Sequence, residues 1–193
     1  MPHKFNPDRL ELLMSPERAQ LNDPTHVFSF IPLDDGQTVA DIGCGPGYFT
    51  LALARRLTRG HVHAFDVQAP MLQAARENVA GSGLTNVTVA ESQELELPTP
   101  DDSLDGAFIA FALHEIDGPL PNYFAMLGRK LKAGGWIAVL DWKQEEMDEG
   151  PPLNDRLSED EVRESGEAGG LDFSHLADLN SKQYIVLFRM TAG

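Results

Sequence analysis

The chain has 193 residues, 30 of them acidic and 15 basic, for a formal charge of −15. That length suits one compact domain with a real core, and 42% apolar with 23% charged residues is ordinary globular usage rather than that of a disordered chain. The acidity counts against nucleic acid and anionic membranes as partners, since both are bound by concentrated lysine and arginine. The one cysteine, Cys44, excludes an internal disulfide framework and any multi-cysteine metal site.

In chain order, prolines at 2, 7, 16, 24 and 32 restrict the first forty residues to short helices. Arg9 to Met14 and Pro16 to Leu21 are the pieces expected, the second capped by Ser15. No apolar run follows the N-terminal residues, so a signal peptide is not expected, and no stretch approaches the roughly 18–20 apolar residues of a membrane span. A cytoplasmic protein is the default expectation. From Thr38 onward, strands alternate with helices. Thr38 to Ile42 reads as a buried strand, and Tyr48 to Leu57 as a helix with Phe49, Ala52, Leu53 and Leu57 on one face. His61 to Phe65 is a second strand closed by Asp66, and Pro70 to Val79 a second helix with Gly81 beyond its end. Val87 to Ala90 is a third strand, and the apolar run Asp105 to Leu113 a fourth, covered on both faces. Tyr123 to Leu131 forms a helix stopped by Gly134-Gly135, followed by the strand Trp136 to Leu140. Ser158 and Glu161 have capping-box spacing at the start of another helix, and Tyr184 to Phe188 is a last strand. Gly166, Gly169 and Gly170 predict an irregular stretch between Glu164 and Phe173, because glycine disfavours a helix by up to about 1 kcal/mol per position.

Alternation of this kind predicts a mostly parallel, doubly wound α/β sheet with helices on both faces. Ligands then bind beyond the carboxyl ends of the strands, where strand order reverses. The first strand runs into Asp41-Ile42-Gly43-Cys44-Gly45-Pro46-Gly47 and a helix, and Asp66 ends the second strand 19 residues after Gly47. A carboxylate at Asp66 can accept from both hydroxyls of a ribose, as in adenosine-containing cofactors. The glycines are spaced G-x-G-x-G rather than in the dinucleotide pattern G-x-G-x-x-G, and Asp41 stands beside the loop. A carboxylate there repels pyrophosphate and suits an ammonium or sulfonium. The electrostatics favour S-adenosylmethionine over NAD.

Asp41 to Gly47, Asp66, the run Leu97-Pro98-Thr99-Pro100-Asp101-Asp102-Ser103-Leu104-Asp105 and Leu131-Lys132-Ala133-Gly134-Gly135 resemble the class I S-adenosylmethionine-dependent methyltransferases. Within them the chain is most similar, from Thr38 to Trp142, to the small-molecule branch of the ubiquinone/menaquinone biosynthesis methyltransferases (methyltransferase type 11-like). The approach Phe5-Asn6-Pro7, Ser15-Pro16-Glu17-Arg18 and Asp23-Pro24, with Asp141-Trp142-Lys143 and Gly150-Pro151-Pro152, resembles a subset of short bacterial and archaeal members.

The resemblance implies a Rossmann-like, seven-stranded sheet with the last strand antiparallel, in a single domain. Its parts are a helical cap or lid over residues 1–37, a cofactor-binding core over 38–142, and a C-terminal part, 143–193, completing the sheet and the acceptor pocket. It also implies that backbone at Gly43, Gly45 and Gly47 cradles the methionine part of S-adenosyl-L-methionine, with Asp41 near its charged end. Asp66 takes the ribose, Val67 and Met71 pack near the adenine, and Ser92-Gln93-Glu94 supplies the adenine contact, Gln93 or Glu94 foremost. The partner is then a small-molecule methyl acceptor. A homodimer stays open.

Several residues carry two readings. His114, after the fourth strand, is either a general base or a residue that shapes the pocket. Trp142 stacks on an acceptor or plugs the core, and Lys143 attracts an anionic group or ends in solvent. Tyr48 faces the pocket while Phe49 is core. The stripe Phe5, Leu10, Leu13 and Leu21 covers the cofactor or docks on the sheet. His61 and His63 share a strand face, but two histidines without further ligands do not make a metal site, and no metal is expected. Two rival functions remain: a nicotinamide-dependent oxidoreductase and a non-catalytic S-adenosylmethionine-binding partner protein. The Tyr-x-x-x-Lys pair of the first is missing, since Tyr48, Tyr123 and Tyr184 are followed four residues on by Ala52, Leu127 and Phe188.

Overall fold

A computed structural model describes Asn6 and residues 12–15 and 20–191. The first half of the expected helix Arg9 to Met14, most of the helix Pro16 to Leu21, and Phe5 and Leu10 of the apolar stripe lie outside the described residues. Leu12 to Met14 form one 3-10 turn. Seven strands follow: β1 (Thr38–Ile42), β2 (His61–Asp66), β3 (Val87–Glu91), β4 (Leu104–Ala110), β5 (Leu131–Trp142), β6 (Asp172–Asp178) and β7 (Gln183–Arg189). The helices are α1 (Pro24–Phe28), α2 (Tyr48–Arg56), α3 (Ala69–Ser82), α4 (Leu120–Lys130) and α5 (Glu159–Ala168). None of the described helices is long and apolar enough to cross a membrane.

The strands form one sheet in the order β3-β2-β1-β4-β5-β7-β6, parallel from β3 to β5, with β7 antiparallel to both its neighbours. Period-two alternation decides which side chain enters which core. Ala107, Ile109, Ile137, Val139, Val186 and Phe188 pack with Phe124 and Leu127 of α4 and Val162 of α5. Their neighbours Phe108, Ala110, Trp136, Ala138, Ile185 and Leu187 pack on the opposite face with Val27 of α1 and Phe49 and Leu53 of α2. Ala64 of β2 meets Ala75 of α3. Both faces of the central strands are therefore covered, which is why they read as continuous apolar runs.

Four expectations about the elements change. The fourth strand ends at Ala110 rather than Leu113: Phe111 turns the chain at φ 59, and Leu113–Glu115 form a 3-10 turn. Residues 111–113 are apolar because they face the core and a cavity, not because they continue the ladder. Gly134-Gly135 does not stop a helix; α4 ends at Lys130 and the glycines lie in the irregular lead of β5, where pairing shifts from Leu104↔Leu131 to Gly106↔Trp136. Gly81 lies inside α3, whose end is capped by Gly83 in the left-handed conformation. The segment from Glu164 is regular: α5 starts on the Ser158–Glu161 capping box and runs through Gly166, and a further strand, β6, follows. That edge strand escapes periodicity because its alternation is weak, with Leu176 on the exposed side and a bulge between Phe173 and His175.

Gly166 is a packing requirement, since a Cβ there would stand 2.3 Å from the Phe188 ring. Gly166→Ala should therefore destabilise the fold by about 1–3 kcal/mol despite alanine's better helix propensity. Gly81→Ala meets open space, and should stabilise by up to about 1 kcal/mol. Thermal melts of the two variants should move in opposite directions.

Candidate active site

Strand order reverses between β1 and β4, and the crevice opens there at the carboxyl edge, as expected for an open α/β sheet. It is a cavity of about 840 Å³, lined by the ends of β1 and β2, the glycine loop, residues 92–94, the segment 110–116, Trp142 and the loop 149–152. That volume is near the top of the ~300–1,000 Å³ span of small-ligand sites, enough for a nucleoside-sized group together with a second small molecule.

The sequence places two carboxylates at this edge, and the fold buries both. Asp41, 2% exposed, accepts from Thr50 Oγ1 of α2 at 2.5 Å. Asp66, 7% exposed, accepts from Gly45 N at 2.9 Å and Gln68 N at 2.8 Å. The N–H groups of Gly43 and Cys44 donate to the Phe65 carbonyl, and that of Gly47 to the Cys44 carbonyl. Every N–H between Gly43 and Gly47 is thus directed to a protein acceptor, and Pro46 has none. A phosphate loop does the reverse and points its N–H groups at the ligand. Gly43 has φ 69, and a Cβ on it would stand 2.3 Å from the Ala112 Cβ, so the loop can lie against the segment after β4 only with glycine there. Burial pushes the Cys44 thiol well above its ordinary pKa, assisted by the charges of Asp41 and Asp66, so it is no nucleophile.

Asp41, Gly43, Gly45, Asp66, Val67, Met71, Gln93, Glu94 and His114 all line the cavity. Gly47 sits behind them as the N-cap of α2. Ser92 also lines it, its N–H donating to the Asp66 carbonyl at 3.0 Å, while Gln93 and Glu96 close a tight turn. Glu94 accepts from Asp117 N. Tyr48 lines the cavity and donates to the Asn22 carbonyl; Leu13 and Leu21 reach it from the N-terminal segment. Trp142 stands at the wall, its ring 5.5 Å from that of Phe111, rather than in the core.

Lys143 is not in the cavity: it pairs with Asp178 of β6 at 2.7 Å. The cation at the mouth is Lys182, paired with Glu149 at 2.9 Å. His61 Nε2 lies 2.8 Å from Thr88 Oγ1 and His63 stacks on Phe65, so both are used in strand packing.

Two features had no signal in the sequence. The first is the pairing of His114, 8% exposed, with Asp141, 1% exposed: Nδ1 lies 2.8 Å from Oδ1. Burial opposes the imidazolium, but the Asp141 charge and hydrogen bond outweigh it and hold the His114 pKa above 6.5. The second is Arg156, whose buried guanidinium donates to the carbonyls of Lys143, Glu145, Glu149 and Pro151. One side chain thereby folds the acidic loop and sets Gly150-Pro151-Pro152 at the mouth.

A scan against family models matches a methyltransferase domain over residues 39–135. The crystal structure of a SAM-dependent methyltransferase from Aquifex aeolicus superposes with a TM-score of 0.93 at 35% identity, covering 97% of this chain and 100% of that one. The chain belongs to the S-adenosylmethionine-dependent methyltransferases. Among curated members, the demethylmenaquinone methyltransferase of Listeria monocytogenes serotype 4a is 34% identical over 113 residues, 56% of this chain and 46% of that protein. The biotin biosynthesis bifunctional protein BioHC of Teredinibacter turnerae is 30% identical over 152 residues, 70% of this chain and 26% of that protein. The chain spans about half the length, or less, of these curated relatives. The seven-stranded sheet with an antiparallel β7 is the family fold.

Arg156→Met should lower stability by about 2–4 kcal/mol, a melting shift of roughly 2–4 °C per kcal/mol, and open residues 143–155 to limited proteolysis. For the His114–Asp141 pair the sign follows from a raised folded-state pKa. Its stabilisation is complete below the ordinary value of 6.5 and is lost as pH rises through the folded value. Denaturant melts from pH 5.5 upward should show that decline in the wild type and a flatter profile in Asp141→Asn.

Proposed function

We propose that this chain transfers a methyl group from S-adenosyl-L-methionine to a small-molecule acceptor by inline displacement. The observation that carries the proposal is the glycine loop, whose N–H groups all turn inward beside two buried carboxylates, Asp41 and Asp66, at the wall of one cavity. This donor set fits a cationic, ribose-bearing ligand and does not fit a pyrophosphate. It therefore favours the methyltransferase over the nicotinamide-dependent reading.

The cofactor supplies an electrophilic methyl on a positively charged sulfur. Around it, Asp41 faces the charged end and the backbone at Gly43, Gly45 and Gly47 shapes the methionine subsite. Asp66 accepts from the ribose hydroxyls. Met71 and Val67 wall the adenine, and Gln93 or Glu94 accepts from its amino group. His114, with Trp142 and Phe111, faces the acceptor. Five acids line the cavity (Asp41, Asp66, Glu94, Glu115 and Glu149) against the single cation Lys182 among the described residues, a balance that suits the cofactor's positive charge.

We read the chain as a single domain, with residues 1–37 as the lid, 38–142 as the cofactor core and 143–193 as the acceptor side. The reading includes a cytoplasmic location and no nucleic-acid partner. Alignment of the two reactants supplies most of the rate: well-oriented systems gain up to roughly 7–11 kcal/mol.

Titration calorimetry tests the proposal. Wild-type protein should bind S-adenosylmethionine and S-adenosylhomocysteine but not NADH. Asp66→Ala should weaken both by at least tenfold, about 1.4 kcal/mol, with its melting temperature measured as a control for folding. Unchanged affinity in Asp66→Ala, or NADH binding of equal strength, would overturn the assignment. Formation of S-adenosylhomocysteine from S-adenosylmethionine and a metabolite extract separates an enzyme from a binding partner without turnover.

A further inference from the structure

The His114–Asp141 pair is unusual for its position. Asp141 lies at the end of β5 and His114 in the 3-10 turn after β4, so two adjacent parallel strands deliver them to the same edge. Asp141 Oδ1 also accepts from Trp142 N at 2.9 Å, which fixes the carboxylate plane, and Nδ1 of His114 lies 2.8 and 3.1 Å from its two oxygens. An ionised carboxylate only accepts, so a neutral imidazole in this contact carries its one proton on Nδ1. The other nitrogen, Nε2, bonds to no described residue, and the ring lines the cavity beside Trp142 and Phe111. A buried histidine on the wall of a ligand cavity, held at Nδ1 by a carboxylate, is the arrangement of a positioned base.

We propose that Asp141 is a positioning residue that holds His114 with its proton on Nδ1, so that Nε2 takes a proton from the methyl acceptor. The acceptor then carries hydrogen on the atom that is methylated, and is not a thioether or a tertiary amine. The inference rests on the methyltransferase reading and adds the class of acceptor to it. The reaction balances within the site. The acceptor's proton passes to Nε2, the acceptor atom bonds to the methyl carbon as the carbon–sulfur bond breaks, and the electron pair stays on sulfur. The imidazolium beside Asp141 then releases the proton to water.

Among the described residues, the charged groups acting on His114 are acidic: Asp141 on β5, Glu115 in its own turn, and Asp155 in the loop after β5. They stabilise the imidazolium once it forms. They also raise the His114 pKa above its ordinary value, so turnover should rise with pH through the His114 titration.

Nitrogen-detected NMR of the imidazoles, on full-length protein saturated with S-adenosylhomocysteine, tests the positioning without turnover. The neutral His114 ring should be the Nδ1–H tautomer with a midpoint above 6.5. In Asp141→Asn the midpoint should fall and the tautomer preference be lost. A neutral Nε2–H tautomer in the wild type, or a midpoint indifferent to Asp141→Asn, would overturn the proposal. The wild-type tautomer answers the question even where the variant is unstable.

The acceptor class is tested with 2-naphthol, 2-naphthylamine and methyl 2-naphthyl sulfide, which differ only in the substituent that would be methylated. S-adenosylhomocysteine should form with the first or second and not with the sulfide. His114→Gln and Asp141→Asn should then lower kcat about 100-fold or more, with the KM for the cofactor nearly unchanged. Turnover of the sulfide, or full kcat in Asp141→Asn, counts against the base. Calorimetry on the same samples separates the two failures. Absent cofactor binding in the wild type sinks the methyltransferase reading, whereas intact binding with the wrong tautomer sinks only the role of Asp141.

Discussion

Burying two carboxylates within one crevice is the constraint around which the glycine-loop side of the cavity is built. An ionised acid removed from water must be given hydrogen-bond donors or it protonates. Asp66 receives the Gly45 and Gln68 amides and Asp41 the Thr50 hydroxyl, so the loop after β1, the start of α2 and the turn after β2 are committed to the two acids. Gly43 and Cys44 complete the loop by donating to the Phe65 carbonyl, which ties it to the end of β2. Once those bonds are made, the loop has no amide left for a phosphate. Such a wall suits a cationic ligand better than an anionic one.

The opposite side of the cavity uses a different device. A loop of four acids and two prolines stands at the mouth of the cavity, and it keeps its shape because Arg156 gathers four of its carbonyls. The acidic side chains of Glu145 to Glu149 stay exposed, while the backbone of the run is held on the buried Arg156. Beneath it, Phe111 adopts φ 59, a conformation rare for a bulky side chain and costing of order 1–3 kcal/mol. The strain falls where β4 ends and the chain turns past the cavity toward His114. It belongs to the site, as the surrounding apolar core of β4 and β5 has no need of it.

Elements with strong local signals were legible to within a few residues. β1 was read with its exact limits, and the Ser158–Glu161 box formed as its spacing implied, because caps and short apolar runs are decided by neighbours in sequence. Misreadings came where an apolar or glycine residue serves a distant partner. The run through Leu113 looked like strand because core and cavity both demand apolar residues. Gly166 looked like a breaker because Phe188, 22 residues on, was not visible as its neighbour. The edge strand β6, half exposed and bulged, left too weak a pattern.

The same division runs through the site. By itself the sequence determined the strand–glycine loop–helix unit and the acids at 41 and 66, each set by its place at the end of a strand, and the histidine at 114, which follows a strand by one short turn. Tertiary structure alone decided that His114 pairs with Asp141, that Lys182 rather than Lys143 stands at the mouth, and that Arg156 organises the loop. These depend on strand order and on contacts between residues far apart in sequence. Periodicity reports which face a side chain takes, not which neighbour it meets there.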